Sequence, residues 1–228
     1  MSDREYVPFV KICGLRTSRD AIAATQAGAS HLGFVLSPSR RQVNLATMAS
    51  IRAKIQEWVG MNPHRRMPLL TAVVVNASNE ELHAISESGT VDIVQLSGDE
   101  RPEVLDEFEL PAFKAIRISP ELGESGARNE IETWLDRARP ASGILVDAWH
   151  PESYGGTGLV ADWSITNRLA IDYPIWLAGG LTPENVATAI AQVRPYGVDV
   201  SSGVERDGHK DVARIRAFLA AVRSLARA

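Results

Sequence analysis

A single cysteine, Cys13, stands in the 228 residues. No intramolecular disulfide is possible, which suits a reducing compartment. Long hydrophobic runs are missing too. No stretch approaches the ~18 consecutive apolar residues that a membrane-spanning helix needs. The opening Met1-Ser2-Asp3-Arg4-Glu5 is not followed by the apolar run of a secretory signal. A cytoplasmic protein without a membrane partner is expected. Basic charge is not in excess, since 24 Lys and Arg face 28 Asp and Glu for a net charge of -4. With no basic stripe, nucleic acid is not an expected partner. The five histidines, His31, His64, His83, His150 and His209, show no metal-ligand spacing, so no metal is expected. No glycine-rich dinucleotide fingerprint follows the first strand, and nothing in the pattern calls for a cofactor.

What is present is an ordinary globular balance, 45% hydrophobic and 23% charged residues. Compact apolar runs occur at 9–13, 31–36, 69–75, 93–97, 111–118, 143–148, 174–178 and 197–201. They are continuous rather than alternating, as strands buried on both faces are in parallel sheets. Helical spacing of apolar residues marks 18–28, 45–59, 78–89, 161–171, 182–193 and 209–227. Ser78 with Glu81 forms a capping-box pattern. Thr182-Pro183-Glu184 reads as a helix start, and Gly28 and Gly89 as helix ends. The segments 60–68 and 119–129 read as polar loops. Eight strands alternating with helices predict an α/β fold, a single (β/α)8 TIM barrel over residues 1–228 as one domain. The runner-up, a doubly wound open sheet, usually needs fewer strands.

Reacting groups in such barrels sit at C-terminal strand ends and in the loops that follow. The first strand ends Lys11-Ile12-Cys13-Gly14. Period two puts Lys11 and Cys13 on one side, directed into the barrel. A thiol near a buried ammonium is expected to ionise below its usual range. An isolated cysteine is more often an inert buried group, so its place at a strand end decides the reading. The sixth strand ends Leu145-Val146-Asp147. A carboxylate closing an apolar strand is costly unless paired or used. An acid and a base facing each other across a small substrate suit proton-transfer isomerisation.

Glycine-rich segments crowd the last third: Gly155-Gly156-Thr157-Gly158, Gly179-Gly180 and Ser201-Ser202-Gly203. Any one reads as a tight turn. Two after consecutive strands seven and eight favour a phosphate held by backbone N–H groups. Arg41, in the loop after strand two, has the chemistry to grip a carboxylate bidentately. A small phosphorylated molecule is the expected substrate.

These segments together resemble the phosphoribosylanthranilate isomerase family, from Lys11 to about Asp211. The resemblance is carried by Lys11-Ile12-Cys13-Gly14, Gly33-Phe34, Arg41-Gln42-Val43, Val94-Gln95-Leu96 and Leu145-Val146-Asp147. It continues through Gly155-Gly156-Thr157-Gly158, Leu177-Ala178-Gly179-Gly180-Leu181 and Gly197 to Glu205. It implies an isomerase of tryptophan biosynthesis acting by Amadori rearrangement without a cofactor. Cys13 would be the general base and Asp147 the general acid. Substrate would be held by Lys11, Arg41, Gln95, Ser97, Gly156, Gly179, Gly180, Ser201, Ser202 and Gly203. One departure stands out: Ser97 occupies the place where the family usually has histidine. Serine cannot titrate near neutrality. Two alternatives remain open at this point: another sugar-phosphate isomerase or epimerase, and a non-catalytic phosphate-binding barrel. A monomer and a homodimer are both compatible with the sequence.

Overall fold

The computed structural model describes residues 6–119, 121–147 and 163–224. Eight parallel strands close into a barrel in chain order: β1 Phe9–Ile12, β2 His31–Val35, β3 Leu69–Val74, β4 Ile93–Leu96, β5 Ala112–Arg117, β6 Gly143–Asp147, β7 Ile175–Ala178 and β8 Gly197–Val200. β1 pairs with β8 in register Lys11 to Asp199, which completes the ring. The helices are α1 Ser18–Ala27, α2 Leu45–Gly60, α3 Asn79–Glu87, α4 Gly123–Leu135, α5 Ser164–Asp172, α6 Val186–Val193 and α7 Val212–Ser224. The expected strands lie within a residue of these limits. Among the described residues no helix is long and apolar enough to cross a membrane.

The local signals act as their chemistry requires. Ser78 and Glu81 exchange side-chain-to-backbone bonds in a full capping box ahead of α3. Gly28 ends α1 in the left-handed conformation, with its N–H bonded to the carbonyls of Ala24 and Thr25. Thr182 accepts the Glu184 N–H through its hydroxyl, but the regular helix begins only at Val186.

Three expectations need correction. Residues 119–129 are not a loop throughout, because α4 starts at Gly123. Its buried Ala127, Ile131 and Trp134 recur at helical spacing, and this burial outweighs the roughly 1 kcal/mol that each interior glycine costs. The connection from β4 to β5 carries a 3-10 turn, Pro102–Glu107, in place of an α-helix. The last helix starts at Val212, not at 209, because His209–Lys210 form the strand β10, paired antiparallel with β9 Glu205–Arg206. Asp207 and Gly208 turn this hairpin, both at positive φ (52° and 75°), the backbone that a tight two-residue turn demands.

Alternation along the strands divides the core. Outward residues such as Val10, Ile12, Leu32, Phe34, Val198 and Val200 join the large cluster under the helices. Inward residues Ile93, Phe113, Leu145, Trp176 and Ala178 form a separate cluster inside the barrel. The lower end of the barrel is filled by rings. His31 lies 4.7 Å from Trp176 and 5.9 Å from Phe113 between ring centroids. Burial first, and the Lys11 charge second, hold the His31 imidazole down to about 4. The unfolded chain protonates this group near 6.5, so between the two values it binds more protons than the folded one. The stabilisation is therefore complete above pH ~6.5 and is lost as pH falls to about 4, a loss of about 3 kcal/mol. Urea unfolding at pH 7.5 and 4.5 should show this slope, and His31→Gln should lack it. An identical slope in both chains would remove His31 as its source.

Candidate active site

Inward side chains at the upper strand ends line the mouth. Lys11 is fully buried on β1, and its Nζ lies 3.0 Å from Asp199 Oδ1 on β8. Burial works most strongly against the Lys11 ammonium, but the Asp199 carboxylate and the Cys13 sulfur together raise its affinity for the proton. Cys13 follows two residues later, 8% exposed, with its N–H donated to the Val200 carbonyl at 2.8 Å. Gly33 on β2 gives the space for both. A Cβ there would sit 2.9 Å from Cys13 Sγ and 3.1 Å from Lys11 Cε. Lys11 and Cys13 thus point inward as expected.

The thiol's ionisation is a correction. Burial pushes the Cys13 thiol above its usual range, and the Lys11 charge recovers only part of this. Lys11 is already paired with Asp199, whose own charge opposes the thiolate. The expected drop below the usual range overlooked that partner.

Asp147 closes β6 half-buried, on the inward parity of Leu145, with Arg117 of β5 and Ala178 of β7 as its register partners. Around the ring, β6 is three strands from β1, by way of β8 and β7. Gln95 and Ser97 lie together at the end of β4. Gln95 Nε2 donates to Ser97 Oγ at 3.1 Å, while Gln95 Oε1 is buried without a partner among the described residues. A buried orphan acceptor in a mouth is suited to a ligand donor.

The two glycine turns meet. Gly179 and Gly180 follow β7 at φ of 89° and 61°. A Cβ on Gly203, in the 3-10 turn Ser202–Val204 after β8, would lie 1.8 Å from the Leu181 carbonyl oxygen. Arg214 ties this corner, its Nε donating to the Gly203 carbonyl at 3.0 Å. Ser201 accepts at its carbonyl from Lys210 Nζ at 2.9 Å. Gly156 lies outside the described residues, as do its neighbours at 148–162.

Arg41 stands at the mouth with an intramolecular partner. Its Nε and Nη2 each donate to a Glu205 carboxylate oxygen at 2.7 Å. Lys210 Nζ reaches the same carboxylate at 2.7 Å. These cations hold Glu205 ionised against its burial, down to about 2. Asp199, Glu205 and Lys210 were not anticipated as mouth residues. The signals existed: a lysine buried on β1 requires an anion nearby, and Asp207-Gly208 marks a hairpin that folds its flanks together. Among the described residues no cluster of His, Cys, Asp and Glu could hold a metal ion.

Closed barrel, inward cysteine and carboxylate at strand ends, and joined glycine turns define a (β/α)8-barrel enzyme. The family model described as N-(5'phosphoribosyl)anthranilate (PRA) isomerase matches residues 10–221, and the chain belongs to that family. It is 45% identical over 220 residues to the N-(5'-phosphoribosyl)anthranilate isomerase of Roseiflexus castenholzii, covering 96% of this chain and 100% of that one. To the same enzyme of Pseudomonas fluorescens it is 41% identical over 215 residues, 93% of this chain and 97% of that one. Among solved structures, phosphoribosyl anthranilate isomerase from Thermotoga maritima superposes with a TM-score of 0.79 at 32% identity, covering 95% of this chain and 99% of that one. A phosphoribosyl anthranilate isomerase in complex with reduced 1-(o-carboxyphenylamino)-1-deoxyribulose 5-phosphate gives 0.76 at 29% identity, with the same coverage.

Proposed function

We propose that the chain converts N-(5'-phosphoribosyl)anthranilate into 1-(2-carboxyphenylamino)-1-deoxyribulose 5-phosphate, a step of tryptophan biosynthesis. The observation that carries this reading is family membership across residues 10–221, with Cys13 inward at the end of β1 and Asp147 at the end of β6. Asp147 gives a proton to the furanose ring oxygen as the C1′–O bond breaks, leaving a Schiff base. Cys13, as thiolate, takes the proton from C2′. The C2′–H electron pair forms the C1′=C2′ bond as the C=N π pair moves onto nitrogen, giving an enolamine, and loss of the 2′-hydroxyl proton with protonation at C1′ yields the ketone. The substrate's own nitrogen is the electron sink, so no cofactor is needed.

The remaining residues bind. The turns at Gly179, Gly180, Ser201, Ser202 and Gly203 offer backbone N–H groups to the phosphate, with Gly156 assigned to the same role. Arg41 holds the anthranilate carboxylate. Lys11 supports the base, and Gln95 with Ser97 supplies neutral hydrogen bonds. Ser97 acts as a positioning group, a role that needs no titratable ring. One domain spans residues 1–228, its partner is a small phosphorylated molecule, and its place is the cytoplasm. Every residue named here comes from one chain, so the reading holds for a monomer and a homodimer alike.

The test follows the fluorescence of phosphoribosylanthranilate generated in the cuvette. Its loss should scale with enzyme concentration, with the ketose as product. A folded chain that leaves this compound untouched, yet turns over another sugar phosphate, would replace the assignment.

A further inference from the structure

We propose that Glu205 is a positioning residue that sets the enzyme's selectivity for a carboxylate-bearing substrate by fixing the guanidinium of Arg41. The inference rests on the reading of Arg41 as the holder of the anthranilate carboxylate. A guanidinium has five N–H donors. Glu205 takes the Nε hydrogen and one Nη2 hydrogen, both at 2.7 Å. Among the described residues Nη1 and the second Nη2 hydrogen have no partner, and together they form the end-on fork that receives a second carboxylate in parallel geometry.

The surroundings make Glu205 a fixed partner. Its side chain is 6% exposed, against 19% for that of Arg41. Lys210 Nζ, itself 3% exposed at the side chain, holds Oε1 at 2.7 Å and also reaches the Ser201 carbonyl at 2.9 Å. The hairpin turned by Asp207 and Gly208 presents both residues together. Gly14 supplies the other wall. A Cβ there would lie 2.4 Å from Arg41 Cδ, so the arginine stem crosses the backbone directly after Cys13. The series Arg41, Glu205, Lys210, Ser201 therefore joins the carboxylate side of the mouth to the turn assigned to phosphate. A free arginine would lose side-chain entropy on binding, and this one has lost it already.

Calorimetric titration with two probes tests the idea. One is reduced 1-(o-carboxyphenylamino)-1-deoxyribulose 5-phosphate. The other is the phenylamino analogue without the carboxylate. The ratio of their Kd values measures carboxylate selectivity. Glu205→Gln keeps the shape and weakens the grip, and should cut this ratio about tenfold while the Kd of the analogue lacking the carboxylate stays constant. In turnover the loss should fall on KM rather than kcat. Equal weakening of both probes would show a merely structural role and overturn the proposal. An unchanged ratio in Glu205→Gln, with the ratio abolished in Arg41→Ala, would overturn positioning by Glu205 and keep Arg41 as the holder. A ratio that survives Arg41→Ala would remove the reading beneath it. Should Glu205→Gln not fold, Glu205→Asp, which keeps the charge and shortens the reach, must lower the ratio, and an unchanged value overturns the proposal.

Discussion

Cys13→Ser and Asp147→Asn should each lower kcat by about 10²- to 10⁴-fold, the span that a positioned acid or base contributes. A serine hydroxyl cannot form an anion at accessible pH, so proton removal from C2′ loses its base. An asparagine amide is far too weak an acid to transfer a proton to the ring oxygen. Neither change alters volume much, so melting followed by circular dichroism should stay close to that of the parent. The pH dependence separates the two roles. Burial raises the Cys13 thiol above its usual range, so the thiolate is the minority form at neutrality and grows as pH rises. kcat/KM should climb with pH on the alkaline side, and fall as pH drops, for as long as Cys13 is the base. The residual activity of Cys13→Ser should lack that limb, whereas Asp147→Asn should keep it. Near-normal turnover in either variant would take that residue out of the reaction.

The strands were legible because each is a compact, mainly apolar run, as barrel strands buried on both faces are, with only isolated polar residues such as Lys11, Gln95 and Asp199. The inward parity of Lys11 and Cys13 followed from period two alone. α4 was hidden because Gly123 and Gly126 read as loop residues, while the periodic Ala127, Ile131 and Trp134 lie further along. The chemistry of the mouth was legible only in part. Arg41 was visible as a cation at the right place. Its partner is 164 residues away in the chain, and only the closing hairpin brings it near. The thiol was misjudged for the same reason. Lys11 beside Cys13 is a local fact, whereas Asp199 on the strand that closes the barrel is a tertiary one. Pairings between strands joined only by closure of the ring decide the electrostatics: the sequence showed that Lys11 needs an anion, and the fold shows which one.

Lys11→Met should cost about 3–5 kcal/mol of stability, because it leaves Asp199 buried without its cation. For a domain of this size that corresponds to a Tm lower by roughly 10 °C. Methionine fills much the same space, so the loss is electrostatic rather than a cavity. The double variant Lys11→Met with Asp199→Asn removes both charges and should recover most of the loss, since buried pairs exchanged as a unit are often neutral. The same variants order the thiol. Lys11 lowers the Cys13 value more than Asp199 raises it, and burial raises it most. All three chains keep burial and the Lys210 charge; the single variant adds the Asp199 charge, the double adds neither, and the parent adds both Asp199 and Lys11. The thiol should therefore titrate lowest in the parent, higher in the double and highest in Lys11→Met. Cys13 is the only cysteine, so the rate of alkylation by iodoacetamide against pH reads this order directly, without turnover. A single variant that loses under 1 kcal/mol and titrates with the parent would mean that water screens the pair. The Lys11 charge would then have no part in setting the base.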